Sequence, residues 1–129
     1  MFTVPIPGGE CVVRTADEMT VKHRRAVALR IHLFGRDRFL NVVGLAVEAD
    51  TLDAEALGVT PTEEAALEEI SDVVSWALLD SWTLPDQLPG SPGAVGALSG
   101  DLRAAVADAV AGEGIRALKG VLGLGENSP

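Results

Sequence analysis

The stretch from Thr60 to Pro92 limits this chain's fold more than any other. Thr60 stands at an N-cap position, Pro61 at the first helical position and Glu63 three residues past the cap. In that arrangement a hydroxyl and a carboxylate satisfy orphaned backbone N–H groups, and the proline loses no bond. The paired carboxylates Glu63/Glu64 and Glu68/Glu69 crowd the positive end of the helix dipole, which explains them without a metal. Leu67, Ile70, Val74, Ala77, Leu78 and Ser81 recur at helical spacing, and between Val73 and Trp82 only Ser75, Asp80 and Ser81 are polar. A helix apolar nearly all round must be covered, by its own fold or by a partner. The spacing therefore predicts a helix running through Trp82 at the centre of the core. Pro85, Pro89 and Pro92 prevent its continuation.

The flanking segments are read around this helix. "FTVPIPGGECVVRT" predicts a hairpin about Pro-Gly-Gly, with Val4, Ile6, Val12 and Arg14 in partial alternation. An isolated hairpin is marginal in water, so it must pack on helices or on another copy. Thr15 and Glu18 have capping-box spacing, with Thr20 a second possible cap, before "VKHRRAVALRIHLFG". That segment reads as a helix ending at Gly35, although Val27, Leu29, Ile31 and Leu33 also alternate as a strand does. "DRFLNVVGLAVEA" is a further helix, weakened by Gly44. Ser91 and Pro92 start a short turn of helix, and "SGDLRAAVADAV" a longer one interrupted at Gly112 and Gly114. The expectation is a mainly α chain with a small N-terminal β-hairpin, a compact bundle of about five helices in one domain. Its parts are the hairpin 1–15, a helical core 16–83, a proline-rich loop 84–92, C-terminal helices 93–122 and a flexible tail 123–129.

Composition narrows the function classes. A chain of 129 residues, 47 % hydrophobic, is globular and large enough for a real core. The net charge of −9 is uneven: residues 1–38 carry seven Lys/Arg against four acids, and residues 39–129 carry three against fifteen. Between Glu48 and Asp86 lie eleven carboxylates and no Lys or Arg. Such a surface repels nucleic acid, keeps a protein soluble and attracts basic partners. Cys11 is the only cysteine, which excludes an internal disulfide and fits a reducing cytosol. "MFTVPIPGGE" lacks the basic and apolar regions of a signal peptide, and no apolar run is long enough to span a membrane.

Catalytic and ligand-binding patterns are missing. His23 and His32 lie nine residues apart, half a turn out of phase on a helix, and H-x-x-x-H and C-x-x-C spacings do not occur. The glutamate pairs lack Glu-x-x-His partners. Cys11 has no sequence-local base, and neither a nucleophile elbow, a phosphate loop nor a dinucleotide fingerprint is present. The reading is non-enzymatic, with no cofactor and no metal. Lys22, Arg24 and Arg25 stand out, because they occupy a helix first turn, where the dipole disfavours cations. Internal ion pairs with the acidic half, an acidic partner or nucleic acid could compensate, nucleic acid being disfavoured by the charge and by the absence of an aromatic platform.

In order, a hairpin "TVPIPGGECVVR", the segment "TADEMTVKHRRAV", and "VVSWALLDSWTLPDQLPGSPGAVGALSGDLRAAVADAV" with its Trp, Leu-Pro and proline loop resemble the tail assembly chaperones of siphophages and prophages of actinobacterial hosts. The resemblance covers most of the chain and rests on soft motifs. It implies a small helical protein without chemistry, in the bacterial host cytoplasm, that binds the tape-measure protein and helps tail-tube protein assemble around it, then leaves. A frameshifted longer product usually accompanies the short one in that family, and "GLGENSP" is compatible with the unshifted form. The alternatives are a permanent virion component, such as a head–tail connector that adds its hairpin to a neighbour, and an acidic regulator or nucleic-acid mimic.

Trp76 and Trp82 gain a role in this light. Either can be a core anchor, since an indole buries a large area and needs one partner for its N–H. Trp82, beside the loop, is placed to be half exposed, and Trp82, Leu84 and Leu88 are expected to border a groove for a helical segment of a partner. Trp76, Arg24 and Arg25 complete the candidate partner-binding set, and self-association is open to the same surfaces.

Overall fold

The computed structural model describes residues 1–51 and 53–123. The flexible tail expected from the sequence falls, apart from Gly123, outside the described residues. Phe2–Ile6 (β1) and Gly9–Val13 (β2) form the expected antiparallel hairpin, with Gly8 at φ 84° in the turn, a left-handed position that suits glycine. On β2 the inward positions are Cys11 and Val13, both fully buried, and not Val12 and Arg14.

A third strand changes the picture. The central helix, Pro61–Leu78 (α3), stops four residues short of Trp82, and Leu79–Trp82 (β3) pairs antiparallel with β2 in the sheet order β1-β2-β3. Cys11 faces Trp82 and Val13 faces Leu79, with a bulge between Val12 and Val13. Arg14 explains the direct passage from helix to strand. Its backbone N–H donates to the Leu78 carbonyl at 2.7 Å, and its guanidinium donates to the carbonyls of Ala77 and Leu79 and pairs with Asp80 at 3.2 Å. The carbonyls that a helix end leaves unsatisfied are thus taken by a residue just past the end of β2.

The helices follow their local signals. Thr15 and Glu18 cap only a 3-10 turn, Ala16–Glu18, and Thr20 caps the helix proper, Val21–Phe34 (α1). Gly35, at φ 106°, ends α1 and opens Arg36–Ala49 (α2), a backbone conformation that side chains disfavour. Thr60 and Glu63 form the predicted capping box of α3, and Ser91 with Pro92 starts Pro92–Gly96 (α4). The last helix, Gly100–Val121 (α5), runs unbroken through Gly112 and Gly114, contrary to the expected interruption. Gly114 lies against α3, where a Cβ would come within 3.1 Å of Val74 Cγ1, so the glycine permits close helix packing and does not end the helix. The described residues are 62 % helical, with a small three-stranded sheet built on the N-terminal hairpin.

The core lies between the sheet and α3, flanked by α1 and α5. Val13, Val27, Ala77, Leu78 and Val106 are all fully buried. Asp72 of α3 is buried beside Arg103 of α5, which donates to both carboxylate oxygens at 2.8 and 2.7 Å. The Glu113 carboxylate takes the Ala16 N–H at 2.8 Å and ties the capping turn to α5.

Candidate functional site

The sequence-derived residues divide between two places. Trp82, Leu84 and Leu88 follow one another from the edge strand β3 into the proline loop, half-buried, with their inner sides on the core. The Trp82 indole N–H donates to the Asp86 carbonyl at 2.9 Å, which meets its polar requirement inside its own loop and leaves the ring for packing. Leu84 lies over the hairpin turn, its Cδ2 3.2 Å from where a Cβ on Gly9 would sit. Thr83 locks this segment to β2 through hydrogen bonds in both directions with Glu10.

Trp76 belongs to the other place, the contact of α3 with α1. His23 meets its ring edge to face, with centroids 5.0 Å apart, and Lys22 Nζ lies 6.0 Å from the ring centre. Burial, then the charges of Arg14 and Lys22, push the His23 pKa below its ordinary value. The neutral ring has a use: its Nδ1 accepts the Thr20 N–H at 3.2 Å, while the Thr20 hydroxyl accepts the His23 N–H. Histidine thus takes the role that Glu or Gln has in a capping box, which the residue type alone did not signal.

The basic cluster is partly answered from within. Arg30 pairs with Glu69 at 2.9 Å, and Arg38 holds Glu63 through two bonds at 2.7 and 3.1 Å. That contact, with the Thr60 backbone bond, lowers the Glu63 carboxyl to about 2. Arg36 donates to the Leu122 carbonyl at the end of α5, and Arg24 to the Ala16 carbonyl. Arg25 is exposed and has no hydrogen-bond or ion-pair partner among the described residues.

Cys11 is fully buried, and burial raises its thiol pKa, the environment of an inert thiol. Among the described residues no group of three or more His, Cys, Asp or Glu could hold a metal ion, and no helix is long and apolar enough to cross a membrane.

Two open grooves flank α3. One, of about 700 Å³, runs between α2, the following loop and α3, over Val42, Val43, Leu57, Val59 and Leu67, with Asp53, Glu55, Glu64 and Glu68 around it. The other, of about 410 Å³, lies between α3 and α5, over Phe39, Ile70, Val74, Val110, Ile115 and Leu118. They share Leu67 and Ser71. The sequence reading singled out none of their residues as a site. One signal was available: from Phe39 to Val47 only Asn41 is polar, the same all-round apolarity that marked α3. No family model, no curated protein and no solved structure matches this chain.

Proposed function

We propose that this chain is a docking protein without catalytic chemistry, a tail assembly chaperone of a siphophage or prophage. In this reading it binds the tape-measure protein and aids tail-tube polymerisation in the host cytoplasm. The sequence resemblance suggests the partner. The observation that best supports a docking role is apolar surface left open beside α3: two contiguous grooves, and the half-buried row Trp82, Leu84 and Leu88 at the sheet edge. Grooves of this kind accept one face of an amphipathic helix, the secondary structure of a long rod-like partner.

Co-expression with the tape-measure protein tests it. The two should co-purify, and Trp82→Ala should weaken the complex by about 1–3 kcal/mol, as loss of an anchoring aromatic does. Binding unaffected by Trp82→Ala removes that row from the interface, and no binding at all removes the tape-measure protein as the partner.

A second reading, a permanent virion component, is favoured by the sheet. Both β1 and β3 are edge strands, open to strand addition from a neighbour except where Pro5 lacks a donor. Mass spectrometry of purified particles separates the readings. The chaperone is absent from them, and a connector is present in fixed stoichiometry.

A further inference from the structure

We propose that copies of this chain associate head to tail, the outer face of α1 in one copy seating in the acid-rimmed groove between α2 and α3 of the next. Val21, Arg25, Leu29 and Leu33 recur every fourth residue along α1 and so share one face. Val21, Leu29 and Leu33 are 62, 55 and 68 % exposed. Scattered exposed leucines need no explanation, but three large apolar side chains along one helix face form an apolar stripe. Arg25 sits within it, without a partner among the described residues, and Lys22 borders it.

The groove has the complementary character. Its apolar floor lies between Asp53, Glu55, Glu64 and Glu68, and no Lys or Arg lines it among the described residues. None of the four carboxylates is in an ion pair among the described residues, although Glu68 lies in the field of Arg103 across α3. An occupant must bring apolar side chains flanked by cations, and the α1 face does so. Leu29 and Leu33 are exposed in the copy that carries them, so the groove they fill belongs to a different copy. Two different surfaces meeting in this way form a heterologous contact, which extends into a filament or closes into a ring. The association does not depend on the identity of the larger partner, so loss of tape-measure binding leaves it untouched.

Sedimentation velocity on the full chain, over a concentration series at low and high salt, provides the test. The average mass should rise past that of a dimer, and the association should weaken at least tenfold at high salt, because exposed charges are screened. Leu33→Glu disables the face and Glu64→Lys the groove, both at exposed positions, and each variant alone should be monomeric. Mixed, they should form a 1:1 heterodimer that grows no further, since one retains its groove and the other its face. Arg25→Glu repeats the face arm with a milder change, and circular dichroism checks the fold of each variant. A wild type that stays monomeric up to roughly 1 mM overturns the proposal. So does a dimer that persists in either single variant, or a mixture that fails to pair; those results leave the groove to a cationic helix of another protein or to a two-fold contact.

Discussion

Helices α2 and α3 start from the same kind of sequence and end in opposite environments. Each contains a run that is apolar nearly all round, from Phe39 to Val47 in α2 and from Val73 to Leu78 in α3. In α3 that run is largely covered: Val73, Val74, Ala77 and Leu78 are buried among the sheet, α1 and α5, and Trp76 is half-buried. In α2 only Phe39 and Val42 are buried, and Val47 is 76 % exposed. An apolar circumference states that a helix needs covering, but it does not name the cover. For α3 the cover is this chain. For α2 it is missing among the described residues, and the groove beside it is the consequence.

The difference predicts where the molecule is fragile. Leu78→Ala should cost about 2–5 kcal/mol, near the top of that range because the side chain is fully buried within the core cluster. Urea denaturation measures it. A loss below about 1 kcal/mol would mean that α3 is packed no better than α2. Asp72→Ala should follow, at about 2–3 kcal/mol, since it strands the Arg103 guanidinium against α3. Partial solvent access at Arg103 (32 % for the side chain) moderates the cost below that of a fully buried pair. Replacing both partners with apolar residues of similar size should recover most of the loss.

Besides the buried Phe39 and Val42, α2 is held by the Arg38–Glu63 pair, which joins it to the start of α3. The Glu63 carboxyl titrates at about 2 in the folded chain, below the ordinary value of about 4.3 expected when unfolded. Its contribution is therefore complete above that ordinary value and lost as pH falls toward 2. Hydrogen exchange at matched intrinsic rates should show α2 amides losing protection across this window before those of α3, and Glu63→Gln should remove the pH dependence. Equal loss in both helices would show that α2 is held by packing.

How much of this could be read from the residues depends on the distance over which each feature acts. Thr60 with Glu63, Ser91 with Pro92, and Gly35 are decided within four residues, so the sequence places the starts of α3 and α4 and the α1–α2 boundary correctly. Strand β3 is decided by Cys11 and Arg14, which sit more than 60 residues away. Locally, Leu79–Trp82 is indistinguishable from more helix. The candidate site divides in the same way. Trp82 was legible as a half-buried indole, whereas Leu57 and Val59 reach the groove from a loop with no periodicity to mark them.

The smallest predicted effects discriminate best, because they differ in sign. Gly44 in α2 and Gly114 in α5 both stand inside helices, where alanine is intrinsically better by about 0.5–1 kcal/mol. A Cβ on Gly44 meets nothing within 4 Å, so Gly44→Ala should return that gain as added stability. On Gly114 the Cβ would press on Val74, itself buried in α3, and the overpacking, typically about 1–3 kcal/mol, should outweigh the propensity and leave Gly114→Ala destabilised. Thermal unfolding of the two variants reads the contrast directly. If Gly44→Ala also destabilises, its surroundings are occupied in solution, and the first place to look for the occupant is a second copy at high protein concentration. Repeating the measurement on dilute protein separates the cases: an intermolecular cover is lost by dilution and the gain reappears, whereas a contact within the chain persists.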